Sequence, residues 1–314
     1  MTLFRFIGEK APVVRPVDLL TEDHPLRPYP PLNSVRNSAW VRGLVFAVVF
    51  FVAMILWTST FYLSIGTVSS MAQYSSELFG AVVAYFIVAF LMEARVWPYE
   101  VSPRRLLGLL KGMALGVVLA SVCVGVIALT GSYRVTGTNG DYSPWVDLFV
   151  VVIVAGLYEE IICRGVIFRL VEEGLGTWGA AVVSALIFGA LHLNNSGATW
   201  WDAIATVIDA GLLFAAVYVV TRSLWWCIGL HFAWNIMEGP VFGSTVSGVA
   251  TQNSWLTPSW TGPGILTGGA FGLVGSIVPV ILMGILSIAL LVYAAGKGLM
   301  VSPIWVRKNK LTLE

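Results

Sequence analysis

Gly156-Leu157-Tyr158-Glu159-Glu160-Ile161-Ile162-Cys163-Arg164-Gly165 sets two adjacent carboxylates and an arginine inside an apolar run that extends from Val146 to Leu170. An acidic side chain at a bilayer centre costs roughly 2.5–3.5 kcal/mol on insertion scales. A run that accepts this twice in succession implies a use for the charges. Residues four apart share a helix face, so Glu160 and Arg164 are expected to pair. Glu159 lies about 100° round the helix and is left without that partner. Desolvation without a counter-ion suits a carboxylate to act as a base.

The surroundings are those of a membrane protein. The 314 residues are 57% hydrophobic and 11% charged, and mean hydropathy is +0.84. A soluble domain carries about 25% charged residues. The expected fold is therefore an all-α polytopic membrane protein. Cys123, Cys163 and Cys227 each lie in an apolar segment, so a disulfide framework is not expected. No cleavable signal peptide is expected, because the first 40 residues are polar and proline-bearing.

A membrane span needs about 20 apolar residues. Eight segments qualify or come close: about 43–65, 78–92, 111–129, 145–170, 178–193, 203–220, 224–237 and 272–299. The helix of the fourth is expected to continue through Glu173. The seventh is short. With the N-terminus inside, seventeen of the eighteen Lys and Arg fall in inside pieces, and only Arg134 falls outside. That asymmetry predicts eight spans with both termini cytoplasmic. Residues 1–40 read as a cytoplasmic, partly disordered tail, 41–300 as one transmembrane domain, and 301–314 as a basic cytoplasmic tail. A Gly/Ser/Thr-rich stretch, 240–269, joins the last two spans.

Further polar residues interrupt the apolar background. Phe188-Gly189-Ala190-Leu191-His192 lies on the fifth segment, beyond the turn at Gly174-Leu175-Gly176. Glu159 is 15 residues before that turn and His192 is 16 after it. At about 1.5 Å per residue both stand roughly 22–24 Å above it, at matching heights on antiparallel helices. His231-Phe232-Ala233-Trp234-Asn235 lies on the seventh segment, with His231 and Asn235 on one face. Asp202 and Asp209 flank and enter the sixth. Asp202 is expected at the interface. Asp209 is expected either to orient a histidine or to serve as a structural hydrogen-bonding residue.

A carboxylate and a histidine at one height can hold and deprotonate a water. A histidine and an asparagine on a facing helix can donate to a developing oxyanion. Two histidines with one or two glutamates are also acceptable zinc ligands, although the HExxH spacing of zinc protease helices is missing. No serine-protease GxSG or aspartyl GxGD motif is present. Cys227 would share a helix with its base, His231, which disfavours it as a nucleophile.

At these residues the chain resembles the CPBP intramembrane proteases, which include CAAX prenyl proteases of type II and the bacterial Abi and bacteriocin-processing relatives. The EExxxR motif is Glu159, Glu160 and Arg164; FxxxH is Phe188 and His192; HxxxN is His231 and Asn235. Tyr218 to Trp225 also follows the family's Y-x-x-T-x-S-L-W, and the resemblance covers about residues 100–290. It implies a glutamic-type endopeptidase in which Glu159 and His192 activate water. His231 and Asn235 would form the oxyanion site, with Glu160, Arg164 and Phe188 in support. It implies no cofactor, with zinc as the alternative. One departure stands out: many bacterial members carry a glutamate near Val274, in the glycine-rich motif before the last span.

The expected protein is thus a multi-pass bacterial plasma-membrane peptidase. Its expected partners are the bilayer and a membrane-associated peptide or protein, with no nucleic acid. A non-catalytic scaffold or bacteriocin-immunity protein on the same fold is the alternative. An ion-coupled transporter is disfavoured, since no inverted repeat is visible.

Overall fold

The computed structural model describes residues 38–65, 70–93, 95, 98–145, 156–250 and 253–306. The expected N-terminal tail up to residue 37, the first ten residues of the apolar run (146–155) and the basic residues 307–314 lie outside the described residues.

The chain is mostly helical. Helix α1 (Ala39–Ile65) is followed by α2 (Ser70–Phe86), α3 (Leu107–Leu129), α4 (Gly156–Glu160), α5 (Arg169–His192), α6 (Trp200–Thr206), α7 (Leu213–Thr221) and α8 (Leu224–Ile236). A short α9 (Gly264–Thr267) and the long α10 (Ile277–Gly296) complete the set. Six helical stretches among the described residues are long and apolar enough to cross a membrane: Ala39–Ser64, Ala72–Met92, Pro103–Leu129, Gly156–His192, Trp200–Thr221 and Ile277–Gly296. Their outward side chains are large and apolar, as on α1, where Leu44, Val48, Phe51, Ile55 and Leu63 are exposed. A water-soluble surface would not carry such a continuous band, whereas hydrocarbon solvates it without cost.

The stretch 156–192 is 37 residues long, about 55 Å as one straight rod. It does not run straight. Gly176 adopts φ 73 and ψ 179, and the chain reverses there. A side chain at Gly176 would also run into the carbonyl of Val301 and the nitrogen of Pro303. The reversal lies where the Gly174–Gly176 turn was expected. The last helix begins later than expected, at Ile277 rather than Gly272, because Leu273–Gly275 form a 3-10 turn and Ser276 caps the helix through Val278 N.

The stretch 240–269 is not a plain loop, and the fold is not exclusively helical. Strand β1 (Tyr133–Thr138) pairs antiparallel with β2 (Leu256–Trp260), with an irregularity between Val135 and Gly137. Tyr133 stacks obliquely on Trp260 at 4.5 Å, which fixes the register.

Four helical segments widen into π turns: Ile87–Met92, Ile161–Phe168, Val207–Leu212 and Met237–Val241. They carry or adjoin Glu93, Arg164, Asp209 and Glu238. Single π turns inside α-helices recur at functional sites because they shift side chains off the regular helical positions.

The opposite end of the bundle holds a buried ion network. Arg42 on α1 donates to Glu93 at 2.6 Å and to Glu173. Arg169 meets Glu93 at 3.0 Å, and Arg95 meets Glu100 at 2.5 Å. Tyr85 donates to Glu100 at 2.8 Å. Arg222 caps α7 with φ 49 and pairs with Glu172 at 2.7 Å. Burial would raise the carboxyl of Glu100, but the guanidinium groups of Arg95 and Arg169 outweigh it and hold the group at about 2. Glu93 is likewise lowered: burial opposes, and Arg169, Arg95 and Arg42 prevail. This network clamps α1, the end of α2 and the α5 hairpin into one body, far from the polar residues described next.

Candidate active site

Glu159 stands in α4, two residues before the π turn that carries Arg164. His192 closes α5, and His231 and Asn235 share one face of α8. The hairpin through Gly176 returns His192 to the level of Glu159. Glu159 Oε2 lies 3.9 Å from His192 Nε2 and 3.8 Å from His231 Nε2. That oxygen is buried and accepts no hydrogen bond from the described residues. Three titratable groups from three helices therefore face one point, none of them bonded to another across it.

The two imidazoles are held from behind. His192 Nδ1 lies 2.8 Å from the carbonyl of Phe188. A carbonyl only accepts, so Nδ1 carries a proton and Nε2 is the ring nitrogen turned to Glu159. His231 Nδ1 lies 3.1 Å from Glu160 Oε1. The same oxygen accepts from Arg164 Nη1 at 3.0 Å, and Arg164 Nη2 continues to the carbonyl of Gly211 at 2.8 Å. Phe188 fills the space between: its ring lies 4.6 Å from that of His192 and 6.0 Å from that of His231, with the Arg164 guanidinium 4.8 Å over its face. Phe214 packs on His231 at 5.0 Å from the other side.

The two glutamates thus separate, as their helix positions require. Glu160 is wholly buried and paired; Glu159 faces the histidines. The pairing of Glu160 with Arg164 follows from the four-residue spacing. Its second bond, to His231, does not, because it spans 71 residues. Besides sharing a helix face with Asn235, His231 has two further contacts: one ring nitrogen serves Glu160 and the other faces Glu159.

A small cavity opens beside these groups. It is lined by His192, His231 and Asn235 with Trp234, Ser247 and Val274, and it measures about 10 Å³ over the positions a water centre can take. That is close to the size of a single-water site. Ser247 enters it from a left-handed backbone (φ 48), a conformation non-glycine residues rarely hold. Asn195 Nδ2 secures the Ser247 carbonyl at 2.8 Å.

Asp209 does not orient either histidine. It is buried, and neither carboxylate oxygen has a hydrogen-bond partner among the described residues. Asp202 starts α6 instead: its carboxylate accepts from Thr199 N at 2.9 Å and Thr199 Oγ1 at 2.7 Å, completing a capping box. Cys123, Cys163 and Cys227 are buried and free. Among the described residues no group of three or more His, Cys, Asp and Glu is disposed to hold a metal ion.

Two carboxylates near the site escaped sequence reasoning. Glu77 on α2 accepts from Tyr158, the neighbour of Glu159. Glu238, three residues after Asn235, is wholly buried in the π turn that ends α8. Both are visible in the sequence as isolated acids in apolar text. Each has one partner four residues back on its own helix, Gln73 for Glu77 and Trp234 for Glu238, while the fold supplies the others, Tyr158 and the Val274 backbone.

Residues 141–237 match the family model described as type II CAAX prenyl endopeptidase, Rce1-like. The match covers about a third of the chain. It begins ahead of Glu159 and ends past Asn235, so every motif residue above lies within it. No curated protein and no solved structure gives a match. The Rce1-like segment includes α4 through α8, whereas α1 to α3 and α10, which wrap it, fall outside it.

Proposed function

We propose that the protein is an intramembrane endopeptidase in which Glu159 and His192 activate a water for attack on a peptide carbonyl. The observation that carries this reading is the convergence of Glu159 Oε2, His192 Nε2 and His231 Nε2, at 3.8–3.9 Å from the shared oxygen, beside a water-sized cavity. The Rce1-like match gives the same reaction class at family level.

In this reading a water sits against Glu159 and His192. Its oxygen attacks the carbonyl carbon while its proton passes to one of the two bases. Asn235, and the His231 Nε2 when it bears a proton, donate to the resulting oxyanion. Collapse of the tetrahedral intermediate breaks the C–N bond, and the proton held by the base passes to the leaving amine. Glu160 keeps the His231 ring oriented through Nδ1, and Arg164 holds Glu160 in place. No step is routed through a metal or another cofactor. The substrate is a membrane-associated peptide or protein.

The orientation follows from the charge pattern. The hairpin at Gly176 divides one of the six long stretches into two crossings, and α8 with its π extension (224–241) supplies another. That makes eight, with both ends on the side of the Arg42–Glu93 network, which we assign to the cytoplasm of a bacterial plasma membrane.

The test uses the full-length protein in lipid vesicles with fluorogenic transmembrane peptides. Glu159→Gln and His192→Ala, made singly, should each abolish cleavage while the melting temperature stays near that of the parent. Wild-type turnover by either folded variant would overturn the mechanism. Cleavage-independent binding of a partner, preserved in both, would favour the scaffold reading.

A further inference from the structure

Resting on the peptidase reading, we infer that Glu238 is a positioning residue that fixes the far wall of the cavity and restricts the site to a small substrate side chain beside the scissile bond. Glu238 has no surface of its own. Its Oε2 accepts from Trp234 Nε1 at 3.1 Å, and its Oε1 accepts from Val274 N at 3.1 Å. Trp234 and Val274 both line the cavity that His192, His231 and Asn235 line. One carboxylate therefore ties together the two walls that lie away from Glu159. Trp234 belongs to the helix of His231 and Asn235. Val274 belongs to the strap, residues 268–276, that leads into α10.

The strap is built to reach this carboxylate. Gly272 adopts φ 104, and a side chain there would collide with the carbonyl of Thr245. Ser244 adds a second tie: its N donates to the Glu238 carbonyl at 2.9 Å and its Oγ accepts from Leu273 N at 3.0 Å. The strap carries valine at 274 and no carboxylate of its own; the carboxylate comes to it from α8.

The chemistry of the residue fits a positioning role. An indole N–H and a backbone N–H are both donors, and the carboxyl group of Glu238 offers each of them an oxygen. Glutamine would turn an N–H₂ toward one of the two donors. An apolar residue would leave both donors buried and unmet. The tethered indole is one wall of a cavity of about 10 Å³. Space of that order admits the side chain of Gly, Ala or Ser, and excludes Leu or Phe unless the wall moves.

The test uses the full-length protein in lipid vesicles. Fluorogenic transmembrane peptides carry Ala, Leu or Phe at each position flanking the cleaved bond. The wild type should prefer Ala over Leu by about tenfold or more in kcat/KM, the range a misfitted pocket gives. Glu238→Ala should bring the two peptides to within about threefold, mainly through KM, with the pH profile of kcat keeping its shape. Glu238→Gln should fall between. Where Glu238→Ala does not fold, Glu238→Gln carries the test: it keeps the side chain's shape and leaves one donor unmet, so the Ala preference should still narrow. An equal loss on all peptides, a preference retained in the folded variants, or no preference in the wild type overturns the inference. Glu159→Gln separates the two levels. If it cleaves like the wild type, the peptidase reading itself fails; if it is inactive while the Ala preference survives in Glu238→Ala, only the role of Glu238 falls.

Discussion

Glu160 Oε1 lies 3.1 Å from His231 Nδ1 and joins two helices whose motifs stand 71 residues apart. The same atom accepts from Arg164. A wholly buried ion pair is therefore also the device that aims an imidazole. Removing one partner of such a pair leaves an uncompensated buried charge, at a cost of about 3–5 kcal/mol.

Glu160→Gln should therefore lower both stability and activity. Combining it with Arg164→Met removes the stranded charge, so the double variant should recover most of the melting temperature without recovering turnover. A double variant as active as the wild type would show that the His231–Glu160 contact does not matter to the reaction.

Glu159 contrasts with this. Among the described residues none hydrogen-bonds its Oε2 and no arginine pairs with it. Glu159→Gln should leave the melting temperature within a few degrees. Loss of a general base typically costs about 10²–10⁴-fold in rate. Thermal unfolding of the purified protein, read beside peptide cleavage, separates the two effects.

At the far end, Glu100 is held at about 2 against an ordinary value of 4.5. Its carboxyl is thus depressed in the folded state, and the stabilisation it gives is complete above about pH 4.5. That stabilisation is lost as pH falls from there through about 2. Glu93, also lowered, adds in the same direction. Melting curves between pH 6 and pH 2 should show this loss, and Glu100→Gln should be less stable at pH 6 and flatter across the range. A wild type equally stable at pH 6 and pH 2 would contradict the ion network.

The proposed reaction uses no metal. Dialysis against a strong chelator should leave peptide cleavage unchanged, and elemental analysis of the purified protein should find zinc well below one atom per chain. Stoichiometric zinc, lost together with activity and restored with it, would replace the glutamate–histidine mechanism with a zinc one.

Asp209 offers the reverse check on the site. Its oxygens touch neither histidine and have no hydrogen-bond partner among the described residues. Asp209→Asn should leave the pH profile of cleavage unchanged and should raise or preserve the melting temperature, because a buried unpaired carboxylate is costly. A shifted pH profile would tie Asp209 to His192 or His231 after all.

Much of the site was legible in the sequence because helices make spacing into geometry. Four residues bring Glu160 to Arg164, and equal arms about Gly174–Gly176 bring His192 level with Glu159. The contacts that could not be read are those that cross between helices without a shared turn. Nothing in the spacing ties Glu160 to His231, or Glu238 to Val274. The position of Glu77 beside Tyr158 depends on how α2 leans on α4. The strands Tyr133–Thr138 and Leu256–Trp260 were missed for a related reason: each is short, and a partner more than a hundred residues away gives no local pattern. The π turns also escape prediction, because they keep an apolar helical text while displacing the residues they carry.

Arg42 meets Glu93 across 51 residues and Glu173 across 131. On a ribosome those distances are intervals of time. Arg42 is made first, and the acids that neutralise it follow one after another. The first helix therefore enters the membrane with a charge it cannot yet bury. It must wait at the headgroup boundary for the end of α2 and then for the α5 hairpin. Glu173 follows Glu159 on the same arm, so closure of that network reports that the arm bearing Glu159 is in place.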